Sequence, residues 1–327
     1  MTRRKKGCII VNSFIRICVS LFVAFFAVGL VSAQDKKVVF IPGPDSHGFG
    51  SHAHVGGVKL LADMINKHVP GLTAIALEPG WPRDTSVFDG AAALVVFSDG
   101  GDGSMLARNA GAVEELVAKG VGIGVIHYAL EVPKGEPGNA LLRAVGGYYE
   151  QFWSVNPWYE AEFKEFPNHP VARGLKPFAL NDEWYYHMRF VPPGDQSSLT
   201  EILVCVPPDA TRNGPDGSHS GNPTVREQKG RPECLCWVFE RDTSTGKGRG
   251  FGFTGGHDHW NWGHPMFLKT VLNAVVWTTG GEVPESGIVT PIPTLDELLG
   301  FLSTPDELTP QQRNQIQRRL AEWKAAY

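Results

Sequence analysis

Cysteine is scarce in this sequence, nucleotide signatures are missing, and positive charge is not in excess. There is no G-x-x-x-x-G-K-[ST] phosphate loop and no glycine-rich dinucleotide fingerprint, so no nucleotide cofactor is expected. Internal repeats are absent too, which excludes a solenoid. Of five cysteines, Cys8 and Cys18 lie in the N-terminal segment, leaving Cys205, Cys234 and Cys236. They form no C-x-x-C pair, which argues against a thiolate zinc site. A disulfide from Cys205 to either of the others stays open, beside the plainer reading of three small buried hydrophobes. Basic residues number 30 against 34 acidic ones, and without residues 1–33 the balance is 25 to 34, a net charge of −9. Such a surface does not suit a phosphate backbone, so no nucleic-acid partner is implied.

What is present begins with a leader. Arg3, Arg4, Lys5 and Lys6 precede the apolar run Ile15–Leu30, and Val31-Ser32-Ala33 carries the small residues of a cleavage site. We expect a signal peptide over 1–33, cleavage near Ala33, and export to the periplasm or the outside without stable membrane insertion. An uncleaved anchor helix is the rival reading, but the run is short for a full span and Arg16 sits inside its edge.

Residues 34–281 read as one α/β domain. Runs rich in Val and Ile at Lys37–Pro42, Leu72–Leu77, Ala93–Phe97 and Gly122–Tyr128 suit strands buried on both faces of a parallel sheet. Helical patterns lie between them, with Val58, Leu61 and Ile65 on one face of the first and Leu106–Ala118 forming another. The alternation predicts an open, mainly parallel sheet flanked by helices, of the flavodoxin kind. Residues 148–254 differ, with mixed-polarity strands at Tyr159–Phe163, Phe178–Phe190, Glu201–Val206, Glu233–Glu240 and Arg249–Phe253. They predict an added antiparallel β excursion. Within it, 207–232 is nearly devoid of apolar residues, as in a lid or binding loop. Leu268, Val271, Leu272 and Val275 mark the last core helix. Residues 282–327 form a Pro-rich linker and helical tail, which contacts a partner or the domain itself.

In such a sheet, ligands bind beyond the carboxyl ends of the strands. Seven of the eleven histidines fall in three segments that this topology sends to that rim: His47, His52 and His54; His127; and His257, His259 and His264. Histidine serves both proton transfer and metal ligation. The H-x-H pairs His52/His54 and His257/His259 are candidate ligands for a divalent metal, or else bond loop backbone. His127, where a strand turns toward a helix, is a candidate acid–base group or ligand, with a satisfied core histidine as the alternative. No Cys or Ser occupies that turn, which argues against thiol or serine acyl transfer. Strand alternation puts Glu183, Tyr185, His187 and Arg189 on one face, so Glu183 and His187 are candidate proton-transfer partners. A buried ion-pair network is the competing reading. Trp158 and Trp260, with Asn156 and Asn261, offer aromatic planes and amides for a sugar ring, and His47 and Arg189 complete the candidate binding set.

At these segments the chain resembles the ThuA-like (trehalose-utilisation) family. The resemblance runs from about Lys36 to Gly280 and is carried by PDSHGFGSHAH, GVGIGVIHYALE, GGYYEQFWSVNPWYEAEF, HPVARGLKPFALNDEWYYHMRF and GFGFTGGHDHWNWGHPMFLKTVLNAVVWTTGG. It implies a fold similar to class I glutamine amidotransferases, with His127 where those enzymes keep cysteine. It also implies disaccharide catabolism, with a disaccharide or its 3-keto derivative as the small-molecule substrate of an isomerase, lyase or hydrolase. A non-catalytic sugar-binding or envelope-interaction module that lost the amidotransferase nucleophile is the alternative. The tail lies outside the resemblance.

Overall fold

A computed structural model describes residues 1–2, 35–192, 198–243, 246–304 and 307–327, so the expected leader, its first two residues apart, lies outside the described part. Strands β1 (Lys36–Pro42), β2 (Leu72–Ala76), β3 (Ala91–Phe97) and β4 (Gly122–Ile126) come first. Helices α1 (His54–His68), α2 (Met105–Arg108), α3 (Ala110–Ala118) and α4 (Glu136–Val145) connect or follow them. Next come β5 (Gly147–Tyr148), β6 (Trp158–Phe163), β7 (Phe178–Glu183), β8 (Arg189–Phe190) and β9 (Leu199–Cys205). The short helix α5 (Pro223–Glu227) precedes β10 (Glu233–Thr243) and β11 (Gly246–Phe253). Helices α6 (Pro265–Thr278), α7 (Leu295–Gly300) and α8 (Pro310–Ala326) close the chain.

The central sheet has seven strands in the order β2-β1-β3-β4-β11-β10-β9. The first five are parallel, and β10 and β9 continue the sheet antiparallel. Alternation along each strand feeds two apolar layers. Val38 and Phe40 face the layer that α1 and α6 cover, while Val39 and Ile41 face the one under α2, α3 and α4. Much of the β-rich middle of the chain is therefore core sheet, and among the described residues β5–β8 and β6–β7 form separate two-stranded ribbons.

Two expectations are corrected, and the open choice for the cysteines is decided. Pairing of β7 to β6 stops at Glu183, and His187 takes a left-handed turn (φ 56°), so Phe178–Phe190 is two strands rather than one. The helix expected over Leu106–Ala118 breaks at Asn109, whose side-chain amide donates to Met105 O (2.8 Å). The three remaining cysteines are free and buried. Cys205 faces Glu233 across the β9–β10 ladder, which sends Cys234 to the opposite apolar layer; Cys236 pairs with Leu203 instead.

The tail packs on the domain. Leu295 and Leu298 of α7 and Ile316 and Leu320 of α8 are buried in the layer that holds α6. Among the described residues no helix is long and apolar enough to cross a membrane. His264 caps α6 and lies between the ring of Phe178 and the rings of Trp323 and Tyr327, 5.0–5.2 Å away. Burial, aided by Arg319, lowers its pKa to about 3. The folded state thus refuses a proton that the unfolded chain accepts below about pH 6.5. The stabilisation is full above that pH and is lost on acidification toward about pH 3, at up to ~1.4 kcal/mol per pH unit. Denaturant melts at about pH 7 and about pH 5 should show a shallower loss in His264→Asn, which keeps a capping side chain and does not titrate.

Candidate functional site

Parallel pairing aligns Pro42, Phe97, Ile126 and Phe253 at one edge of the sheet. The loops that leave these residues carry Ser46–His54, Asp99, His127 and His257. His127 follows β4 directly, with φ 55°, and opens a 3-10 turn to Leu130. Gly100 lets the neighbouring loop press against that turn, because a Cβ there would lie 2.1 Å from Tyr128 O. The fourth contribution comes from the ribbon: β7 ends at Glu183 and brings its carboxylate to the same point.

The functional atoms of His52, His127, His257 and Glu183 all lie within 4.8 Å of one another. His52 Nε2 is 2.9 Å from His257 Nδ1 and 3.1 Å from His127 Nε2. Glu183 Oε2 is 3.0 Å from His257 Nδ1 and 3.5 Å from His127 Nε2. Behind the ring, His127 Nδ1 donates to the Thr254 carbonyl (2.8 Å), and His52 Nδ1 donates to Asp99 Oδ1 (2.8 Å). A neutral imidazole carries one proton, so these bonds leave lone pairs on both Nε2 atoms. The His52–His127 contact then joins two acceptors with no hydrogen between them.

Protonation of His52 does not fill this gap at neutral pH. Burial first, then the neighbouring histidines, outweighs the Asp99 hydrogen bond and lowers His52 to about 3. Burial also works against the Asp99 carboxylate, yet the His52 bond, the His54 ring and Ser46 bring it down to about 2. Burial alone would raise Glu183; the facing rings of His127 and His257 hold it well below the ordinary carboxylate range. A hydrogen bond from His127 to Glu183 would need an imidazolium, since Nδ1 already uses the neutral ring's only proton. Three ring nitrogens and a carboxylate suit a divalent cation. Four of the six separations among these atoms, 2.9–3.5 Å, bracket the ~3.3 Å edge of a tetrahedron with ~2.05 Å bonds.

The other expected site residues divide. Trp158 stands at the rim, about half exposed, with its ring centroid 4.8 Å from that of His257. Asn156 Nδ2 donates to Glu183 Oε1 (3.1 Å), and exposed His47 lies over His52 with ring centroids 3.9 Å apart. The second histidine of each H-x-H pair does not join the centre. His54 opens α1 and donates to Pro44 O, while His259 sits in a 3-10 turn and donates to Leu298 O. Neither loop is extended, so alternate residues do not share a side. His187 is turned away by its left-handed backbone and bonds Trp153 O, and Arg189 pairs with Glu150 over the Trp153 ring. Trp260 and Asn261 are buried, the latter between Asn181 O and Arg319. Sequence reasoning missed Asp99, two residues beyond β3, and Tyr185, whose hydroxyl is 3.3 Å from both His127 Nε2 and Glu183 Oε2. Asp99 obeyed the same strand-end rule that selected the histidines; Tyr185 already lay on the Glu183 face.

Fold and site together define an α/β protein whose mainly parallel, helix-flanked sheet carries a histidine–carboxylate centre at its carboxyl edge. The trehalose utilisation (ThuA) family profile matches residues 46–278, and the chain belongs to that family. A ThuA-like protein of known structure from Bacteroides uniformis is 14% identical, covers 79% of this chain and 98% of its own, and superposes with a TM-score of 0.52. One from Parabacteroides merdae is 16% identical over 79% of this chain and 98% of its own, with a TM-score of 0.49. A glutamine amidotransferase from Thermotoga maritima is 13% identical, covering 89% and 94%, with a TM-score of 0.39. No curated protein matches the sequence.

Metal titration followed by elemental analysis tests the ligand assignment. His52→Ala and His257→Ala should lose a bound divalent ion, whereas His54→Gln and His259→Gln keep it. Asp99→Ala should weaken it by about 10–100-fold by freeing the His52 tautomer.

Proposed function

We propose that this chain is an exported, metal-assisted carbohydrate-processing enzyme that acts on a disaccharide or its 3-keto derivative. The observation that carries the reading is the meeting of lone pairs from His52 and His127 beside His257 and Glu183, with the first two tautomers fixed from behind. The family's link to trehalose utilisation supports the substrate class. His52, His127, His257 and Glu183 would hold the ion, and a bound divalent ion supplies Lewis-acid stabilisation of charge on a carbonyl or enolate oxygen.

The chain's own residues do the rest. Exposed Trp158 offers an apolar face beside the centre, where a sugar ring stacks through its C–H groups. Asn156 orients Glu183. His127 is fully buried with its free nitrogen among the other donors, so it acts as a ligand rather than as the base. Proton transfer falls to His47, whose Nδ1 is engaged by Ser46 Oγ at 2.8 Å while its ring stays exposed above His52. A keto group acidifies the neighbouring C–H, so one such base suffices for isomerisation or elimination.

Elemental mass spectrometry of the untagged mature chain should find a near-stoichiometric divalent metal, and chelation should abolish turnover of 3-keto-disaccharides. His47→Ala should keep the metal and lower kcat/KM by about 10²–10⁴-fold. A folded, metal-free protein whose turnover survives chelation would falsify the reading. Fractionation of producing cells with N-terminal sequencing checks export, the expected first residue being Gln34.

A further inference from the structure

A second polar cluster lies on the same rim. Glu131 follows the 3-10 turn opened by His127 and is 1% exposed. Its Oε1 accepts from Gln151 Nε2 (2.6 Å) and His219 Nε2 (3.2 Å), and its Oε2 accepts from His219 Nε2 (3.0 Å). Gly101 faces this carboxylate with a left-handed φ of 66°. A Cβ there would lie 3.4 Å from Glu131 Oε1, 3.4 Å from Tyr128 Oη and 3.7 Å from Gln151 Nε2. The absent side chain leaves a methyl-sized cradle bordered by a carboxylate, a phenol and an amide.

Tyr128 links this cradle to the histidine centre. Its ring centroid is 5.6 Å from that of His52, and its hydroxyl borders the cradle without a hydrogen bond to another described residue. Phe152 stands next to Gln151 with a left-handed φ of 64° and 67% of its surface exposed. Its amide donates to Ser218 O (3.0 Å) and its carbonyl accepts from Asn222 Nδ2 (3.2 Å). The polar 207–232 segment thus holds a strained backbone that leaves a large apolar ring in water. Folding gains nothing from that display, whereas a binding platform requires it.

We propose that this patch is a second saccharide subsite, in which Gln151 and Tyr128 bind hydroxyls of the distal ring of a two-ring carbohydrate and Phe152 stacks on that ring's face, with buried Glu131 fixing the Gln151 amide. The proposal rests on the carbohydrate reading of the histidine centre. An amide and a phenol both donate and accept, and a flat aromatic covers the C–H face. His219 holds the carboxylate in place from the excursion side. One ring would sit at Trp158 beside the histidines and the other beyond Tyr128.

Isothermal calorimetry on the full mature chain tests this, with trehalose and maltose as two-ring probes and glucose as the one-ring control. Phe152→Gly, Tyr128→Phe and Gln151→Ala should each weaken the two-ring sugars about tenfold, near 1.4 kcal/mol, and leave glucose unchanged. Phe152→Gly should also keep or raise Tm, because glycine relieves the left-handed strain; a merely structural Phe152 would lower it. Equal affinity of all four proteins for trehalose and maltose overturns the subsite alone. A wild type that binds no saccharide overturns both the subsite and the carbohydrate reading. A metal-free wild type whose two-ring preference is lost in the variants keeps the subsite and sinks the metal assignment.

Discussion

Two hydrogen bonds made away from the centre determine what the centre can be. The Thr254 carbonyl and the Asp99 carboxylate take the Nδ1 protons of His127 and His52, and so aim two lone pairs at each other across 3.1 Å. Without them either ring could flip its tautomer, and the pair would become an ordinary neutral hydrogen bond. Thr254 directly follows β11 and Asp99 follows β3, so both bonds are set by neighbouring strands of one sheet. The rigidity of the α/β core is passed to the site through its proton positions.

The backbone bears part of the cost. Among the described residues, the non-glycine residues in the left-handed region are His47, His52, His127, Phe152 and His187. Each such conformation costs on the order of 1–3 kcal/mol and persists only where its surroundings enforce it. His47, His52 and His127 belong to the centre or its lip, and Phe152 stands beside the polar cradle. His187 marks the turn that ends the Glu183 strand. Left-handed strain at these non-glycine residues is therefore concentrated along one rim.

Much of this was legible in the sequence. Continuous apolar runs gave four of the five parallel strands, while β11, read as part of the antiparallel excursion, pairs parallel with β4, and the strand-end rule found His47, His52, His127 and His257 without knowledge of any contact. Alternation correctly placed Glu183 and Tyr185 on one face but failed two residues later, because His187 leaves the extended region. The H-x-H spacing misled for the same reason: it identifies a shared side only in an extended chain, and His54 begins a helix while His259 lies in a 3-10 turn. What stayed hidden was tertiary, including the tail's use of Arg319 against Asp258 and Asn261 behind the His257 loop.

The β6–β7 ribbon assigns opposite duties to adjacent acids. Asp182, fully buried, accepts from the Gly256 amide (2.9 Å) and holds the His257 loop, while Glu183 faces the histidines. Which acid does which follows from strand parity, since a slip of one residue sends every side chain to the other face. The loop between the two strands, residues 164–177, therefore matters in steps. A length change absorbed inside it is harmless, but one passed into the pairing as a single residue would exchange the two carboxylates. A lineage could lose this chemistry, or regain it, through an odd-numbered insertion that touches no ligand at all.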